Sequence, residues 1–371
     1  MVQRREVVYT SRIAVVGAGI AGTLVARALA ELDFEVAVID PDMPATGNDP
    51  ARRGALYVKP AVTYSPETRF AHQAFLHAAE HYSRLQADHP EFAFWHQTGT
   101  LQLAWNEREM TRQQKLIARN QYGPDFLQPV SRQTASELSG IEVPCGGLWF
   151  PRGGHLLHSA LRCAALEHPG IRRIAGGASA QPHRSQATGN WDIPLTTGAT
   201  VQSESVVIAA GASTADWFPQ LPLGRIRGQI TRLNAARPRL KATVSGAGYA
   251  LPPLDGAQSI GATFDRDCQD CAVRDDSHRL NLETLKDWLP ALGRQFHSGD
   301  IRDGWVGFRS TTPDHMPISG TLNGMHVIAG LGGKGLAYAP ILAQEVANAI
   351  GNRPSLLDPD LQRRVSPDRF Q

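Results

Sequence analysis

The stretch Arg12-Ile13-Ala14-Val15-Val16-Gly17-Ala18-Gly19-Ile20-Ala21-Gly22 limits the fold more than any other in the chain. An apolar, β-branched run leads directly into G-x-G-x-x-G. Thr23 to Leu32 has helical character, and a second apolar run, Phe34 to Ile39, ends in Asp40. Strand, tight turn, helix, strand and acid in that order describe a nucleotide-binding βαβ unit. Gly17 lets the strand exit sharply, and Gly19 removes a side chain from the path of a pyrophosphate at the helix N-terminus. Gly22 lets helix and strand pack closely, with Ala18, Ile20 and Ala21 completing the turn. Asp40, eighteen residues beyond Gly22, is spaced to accept hydrogen bonds from an adenosine ribose. The motif specifies a dinucleotide without saying which one.

At 371 residues the chain is long enough for two intimate domains. Hydrophobic residues make up 42% and charged residues 19%, the balance of an ordinary globular protein. A net charge of +2 argues neither for nor against nucleic acid. Cys145, Cys163, Cys268 and Cys271 form no disulfide framework, and the lone Cys268-Gln-Asp-Cys271 lacks the second pair that zinc would need. His72, His77 and His81 fall at i, i+5 and i+9, and the expectation for them is a wet helix flank rather than a metal site. Arg4-Arg5 precede a stretch too broken by glycine for an export signal, and no apolar run reaches membrane-spanning length. The expectation is a cytoplasmic protein with free thiols, no metal and no membrane.

The first βαβ unit closes near Asp40, after a polar lead-in over 1–11, and 41–53 reads as a loop. A buried pattern resumes at Gly54-Ala55, and Phe70 to Leu85 is amphipathic at helical spacing. Phe92 to Trp105 suggests a strand pair around Thr98-Gly99. Ile171 to Ile174 and Trp191 to Ile193 suggest a second, antiparallel pair. Ser205 to Ala212 is an apolar strand ending in Ala209, Ala210 and Gly211, small enough for a ligand or another backbone to approach. Alternating segments between 223 and 303 suggest an antiparallel sheet. Near the end, Met325 to Ala329 feeds a second glycine-rich turn, Gly330-Leu331-Gly332-Gly333-Lys334-Gly335-Leu336. The helix expected from it spans 339–350, with Pro340 in the first turn. The pattern predicts a discontinuous α/β fold of two domains. A Rossmann-like nucleotide domain with a parallel sheet spans 1–80, 145–222 and 304–371, and a mainly antiparallel substrate domain spans 81–144 and 223–303.

FAD satisfies both turns. Its adenosine and pyrophosphate match Gly17 to Gly22 and Asp40. Its flavin matches Gly332, Gly333, Lys334, Gly335 and Leu336, whose N–H groups and helix dipole stabilise negative charge. NAD leaves the second turn without a role.

These residues, with Val306-Gly307-Phe308-Arg309-x-Thr-Thr-Pro313-Asp314 and Gly248-Tyr249, resemble the D-amino-acid-oxidase-like flavoenzymes, the glycine oxidase and sarcosine oxidase group. Within the group the chain looks most like the flavin-dependent domain of the bifunctional tRNA wobble-uridine enzyme. That narrower match rests on Gly47-Asn48, Gly54-Ala55-Leu56-Tyr57, Gly147 to Pro151, Arg227-Gly228-Gln229, Gly261 to Phe264 with Arg266, and Ser366-Pro367-x-Arg369-Phe370. Departures are Arg52-Arg53 before Gly54, Lys334 where the family has arginine, Thr312-Pro313-Asp314, which is closer to the general oxidase pattern than to the tRNA subgroup, and a sequence without the methyltransferase half.

The resemblance implies non-covalent FAD, with Gly54, Ala55, Ala210 and Gly211 among its contacts. It implies oxidative removal of the carboxymethyl group of 5-carboxymethylaminomethyl-(2-thio)uridine, giving 5-aminomethyl-uridine and glyoxylate. tRNA would be the substrate, and a separate or fused methyltransferase a partner. The alternative is a free-standing glycine- or sarcosine-type oxidase that makes an imine and hydrogen peroxide. The resemblance places Arg309 at the substrate carboxylate; the competing role is an ion pair with Asp303 or Asp314. Lys334 either adds a second positive charge or neutralises the reduced flavin, and Tyr249 either donates to the carboxylate or is a structural tyrosine. Arg52, Arg53, Arg225, Arg227 and Arg266 are candidate phosphate contacts.

Overall fold

The computed structural model describes residues 8–44, 49, 52–235, 239–266 and 268–370. The Gly47-Asn48 pair and part of the expected 41–53 loop lie outside them. The chain divides into two compact units, Met1–Gly47 with Ala160–Gly224 and Ser310–Gln371, and Asn48–Ser159 with Arg225–Arg309. The fold is mixed α/β.

The first unit is built on five parallel strands in the order Ile171–Ala175, Val36–Asp40, Val8–Val16, Thr200–Ile208 and Met325–Ala329. Val15, Val38 and Val207 are wholly buried, as expected of a sheet covered on both faces. Trp191–Pro194 and Ile318–Leu322 add antiparallel partners to Thr200–Ile208 and Met325–Ala329. The crossover helix Ile20–Ala30 packs against the helix Gly335–Ile350. Ala21 through Ala30 are all buried, which explains a composition with almost no polar face. The one cation among them, Arg27, pairs with Glu31 at 2.7 Å, and its Nη1 donates to the Glu167 carbonyl. Both glycine turns lie at the carboxyl ends of parallel strands that flank Thr200–Ile208, the end where open α/β sheets bind ligands.

The second unit holds a nine-stranded sheet. Its path runs Asp265–Arg266, Gly224–Asn234, Ala257–Gly261, Tyr249–Ala250, Thr243–Ser245, Thr100–Leu103, Gly147–Phe150 and Gln128–Val130, with Ile301–Thr311 beside Gly224–Asn234. Leu101, Val244, Ile260, Leu285 and Trp288 form its core with the helix Asp275–Trp288. A three-stranded sheet of Arg53–Leu56, Gly154–Leu157 and Trp95–His96 completes it.

Several expectations change. The segments 48–80 and 145–159, expected with the nucleotide domain, cluster with the second unit, because Arg53–Leu56 pairs with Gly154–Leu157 and Thr100–Leu103 with Gly147–Phe150. Trp95–His96 and Thr100–Leu103 are both strands but do not pair with each other. Ile171–Ala175 lies parallel to Val36–Asp40 rather than against Trp191–Pro194. The first strand starts at Val8, inside the expected lead-in. The helix after the C-terminal glycine turn starts at Gly335, so Pro340 sits inside it, past the first turn.

Candidate functional site

In the first glycine turn, Gly17 has φ +106°, and a Cβ there would lie 2.4 Å from the Ala209 carbonyl oxygen. A Cβ on Gly22 would fall 1.8 Å from the Gly17 carbonyl oxygen, so strand and helix meet with no room for a methyl group. Gly19 differs: a Cβ there meets nothing within 4 Å. The outer glycines close the turn on itself, and the middle one leaves its backbone open. The helix beginning at Ile20 has no side-chain cap and no acid in its first turn. Such an N-terminus holds free donors and a positive dipole end, fitting the pyrophosphate of FAD.

Asp40 is tied to this turn. Its Oδ2 accepts from the Ala18 backbone N–H at 2.6 Å, and its Oδ1 from the Asp42 N–H at 2.7 Å. The expected ribose acceptor therefore also clamps the end of its strand to the turn. Arg162 supports the same loop from behind. Its Nε donates to the Ala18 carbonyl and its Nη2 to the Asp42 carbonyl, each at 2.5 Å. Sequence reading missed Arg162, which no local motif marks.

Ala209 is where a backbone approaches the end of the Thr200–Ile208 strand, since it meets Gly17. Ala210 caps the short helical turn Gly211–Ser213, and Gly211, at φ +59°, faces open space. In the C-terminal turn Gly330 has φ +68°, a 3-10 turn spans Gly332–Lys334, and the helix follows from Gly335 with no side-chain cap and no acid in its first turn. The Lys334 Nζ lies 5.3 Å from the Tyr338 ring centroid, and among the described residues it has no carboxylate partner. Burial lowers its pKa below the usual lysine range. Two uncapped helix starts and a cation without a carboxylate among the described residues suit a ligand with an anionic pyrophosphate and a second group that gains negative charge, as FAD has when its flavin is reduced.

In the second unit Arg309 lies on the Ile301–Thr311 strand, in a stretch half-exposed from Asp303 through Arg309. Its Nη1 donates to the Thr263 carbonyl at 3.1 Å, and its guanidinium lies 5.6 Å over the Phe264 ring. It rests on Gly228, where a Cβ would come within 2.6 Å of both Nη atoms. Neither competing ion pair forms. Asp303 accepts both donors of Arg232, and Asp314 pairs with Arg369 at 2.8 Å. Among the described residues the Arg309 guanidinium has no carboxylate.

Two phenols share its field. Burial pushes Tyr249 up to about 12, against the opposing pull of Arg309, and pushes Tyr57 up in the same way. Both stay neutral donors at physiological pH. Arg309, Tyr249 and Tyr57 thus present one fixed cation and two O–H groups with no anion among them. Tyr57 belonged to a recognised stretch, but its chemistry was not read from it. Gly54 and Ala55 lie half-exposed on the Arg53–Leu56 strand, Ala55 opposite His155.

Of the candidate phosphate contacts, Arg225 and Arg266 are exposed and Arg52 is half-buried. Arg53 and Arg227 are not rim residues. Arg227 is fully buried, paired with Asp265 at 2.9 Å and donating to the Asp270 and Ala272 carbonyls. Arg53, 1% exposed, donates to the Pro252 carbonyl at 2.8 Å and lies against His155, whose pKa falls to about 2 through burial and the arginine's charge. The four cysteines are free thiols, and the described residues contain no cluster of three His, Cys, Asp or Glu that could hold a metal. No helix among them is long and apolar enough to cross a membrane.

Residues 12–349 match the FAD dependent oxidoreductase family. The chain is 35% identical, over 97% of its length, to the tRNA 5-methylaminomethyl-2-thiouridine biosynthesis bifunctional protein MnmC of Marinobacter nauticus. It is 35% identical, over 96% of its length, to the protein of the same name from Hahella chejuensis. It spans 59% of the length of each. Among solved structures, glycine oxidase from Geobacillus kaustophilus superposes with a TM-score of 0.79 at 21% identity, covering 94% of this chain and 97% of that one. Iminodiacetate oxidase from Chelativorans sp. BNC1 gives 0.76 at 20% identity, covering 96% and 99%. These likenesses show the fold.

Proposed function

This chain belongs to the FAD dependent oxidoreductase family, and on that footing we propose that it oxidises the carboxymethylamino group of 5-carboxymethylaminomethyl-(2-thio)uridine at the wobble position of tRNA. The products are 5-aminomethyl-uridine and glyoxylate. The reacting unit is an N-substituted glycine, a C–H bond flanked by a nitrogen and a carboxylate. The observation that carries the reading is Arg309, a half-buried guanidinium with two neutral phenols in its field and no carboxylate of its own among the described residues. The similarity to the two MnmC proteins supports RNA as the carrier of that group. A methyltransferase partner, separate or fused, and a cytoplasmic setting accord with it.

FAD, held by Gly17 to Gly22, Asp40, Ala210, Gly211 and Gly332 to Leu336, supplies a two-electron acceptor when bound, and non-covalent attachment is part of the proposal. Arg309 binds the substrate carboxylate through its planar fork. Tyr249 adds a hydrogen bond to the same carboxylate, its raised pKa keeping the proton on the phenol. Loss of a hydride from the α-carbon of the neutral amine leaves an iminium, and one water converts it to the free amine and glyoxylate with release of a proton. No side-chain nucleophile is required. Lys334 contributes positive charge beside the C-terminal turn.

The test uses an anticodon stem-loop RNA carrying the modified uridine, with nucleosides analysed by mass and glyoxylate assayed. One glyoxylate per aminomethyl-uridine is expected. Arg309→Ala should lower kcat/KM roughly 100-fold or more, the loss of charge-assisted bonds to a carboxylate, while the protein stays yellow. RNA left unchanged beside rapid oxidation of free glycine or sarcosine would overturn the reading in favour of a small-amine oxidase.

A further inference from the structure

Arginines lie against aromatic rings at two places in the second unit, Arg52 against Trp305, and Arg309, Phe264 and Arg266 in a row. The Arg52 guanidinium lies 5.5 Å from the Trp305 ring centroid; those of Arg309 and Arg266 lie 5.6 Å and 5.8 Å from that of Phe264. Two glycines make room for these side chains. A Cβ at Gly307 would strike the Trp305 indole at 2.3 Å, and one at Gly228 the Arg309 guanidinium at 2.6 Å.

Phe264 is 57% exposed, the most exposed large hydrophobic side chain among the described residues. The following residues, Asp265 and Arg266, pair in register with Arg227 and Ile226. Two described acids of this segment are already engaged: Asp265 by the buried Arg227, and Asp270 by Arg274 at 2.7 Å. Arg266 makes no ion pair among the described residues. Among the described residues the outer end of the row is thus a bare ring flanked by an unmatched cation.

A free N-substituted glycine has no part that uses this end, since its carboxylate is met by Arg309. A nucleotide has both missing parts, a flat base for the ring and a phosphate for the cation. Base stacking on an aromatic side chain, with arginine beside it, is a general way of holding single-stranded nucleic acid. We propose that Phe264 is the shelf on which the pyrimidine of the substrate nucleotide stacks, and that Arg266 takes an adjacent phosphate of the RNA strand. The proposal rests on the RNA reading above and names how that substrate is held.

The experiment uses the FAD-loaded full chain and two RNAs, the modified anticodon stem-loop for turnover and the unmodified one for binding by fluorescence anisotropy. Phe264→Ala should raise KM for the modified RNA about tenfold or more and weaken binding of the unmodified RNA by a similar factor. Phe264→Trp should restore both. Arg266→Ala should reduce the slope of log K against log salt by about one, the signature of one lost phosphate contact. Melting curves of each variant exclude loss of fold, which an exposed side chain should not control. Wild-type turnover of RNA with KM and binding unchanged in Phe264→Ala would overturn the shelf and leave the RNA reading standing. A wild-type protein that neither binds nor converts RNA would overturn both.

Discussion

The first unit contains two strand–turn–helix elements of similar wording, Gly17-x-Gly19-x-x-Gly22 and Gly330-x-Gly332-x-x-Gly335, and they are built differently. In the first, the third glycine is compulsory: its hydrogen points at the Gly17 carbonyl, 1.8 Å from where a Cβ would sit. In the second, a Cβ at Gly335 would meet only the Leu331 side chain, at 3.8 Å. The first helix starts directly after Gly19, whereas a 3-10 turn precedes the second and carries Lys334. The first turn is also tied down by Asp40 and Arg162. Equal spacing on paper thus gives one tightly closed backbone cradle, suited to a pyrophosphate, and one looser turn that adds a side-chain charge. The second suits a ligand edge whose charge changes during reaction.

The largest effect should come from closing the gap that distinguishes the first turn. Gly22→Ala forces overlap with the Gly17 carbonyl, which only a shift of helix from strand can relieve. Overpacking of this kind costs about 1–3 kcal/mol or more. The purified variant should lose most of its 450 nm flavin absorbance per protein, and full retention of FAD would show that the contact is softer than its geometry.

An intermediate effect is expected at Lys334. Lys334→Met should keep FAD but slow turnover roughly tenfold, the loss of one partly buried charge near a developing anion. Burial holds this lysine below the ordinary range, so its charge is present at low pH and lost as pH rises through the lowered value. The activity of the wild type should therefore fall on the alkaline side earlier than that of Lys334→Arg. Coincident pH profiles would remove Lys334 from the comparison.

The smallest effect should follow Gly335→Ala. Ordinary van der Waals space is available, and alanine favours a helix over glycine by up to about 1 kcal/mol. The melting temperature should stay level or rise slightly, with flavin content unchanged. A loss as severe as that of Gly22→Ala would make the two turns equivalent after all.

The elements most legible in the sequence were those whose information is local. The first βαβ unit was readable because strand, turn and helix are continuous in the chain. Strand partners were less so. Ile171–Ala175 carries an exposed, charged middle that suits a solvent-facing antiparallel pair, yet it joins the parallel edge beside Val36–Asp40. Nothing within five residues encodes the neighbour that a strand will find.

For the candidate site the division is similar. Motif and resemblance pointed to Arg309, but only packing excluded its two competing ion pairs, by giving Asp303 to Arg232 and Asp314 to Arg369. Arg53 and Arg227 looked like Arg266 in composition alone, and burial set them apart.

The sequence by itself determined the nucleotide-binding element, the α/β class and the presence of a second anion-suited turn, since each depends on residues a few positions apart. Tertiary structure alone decided which cations are free to meet a ligand. A guanidinium's availability depends on the carboxylates and carbonyls that folding brings to it from distant segments. In water all these arginines are equivalent, and they become different only when burial makes an unmatched charge costly.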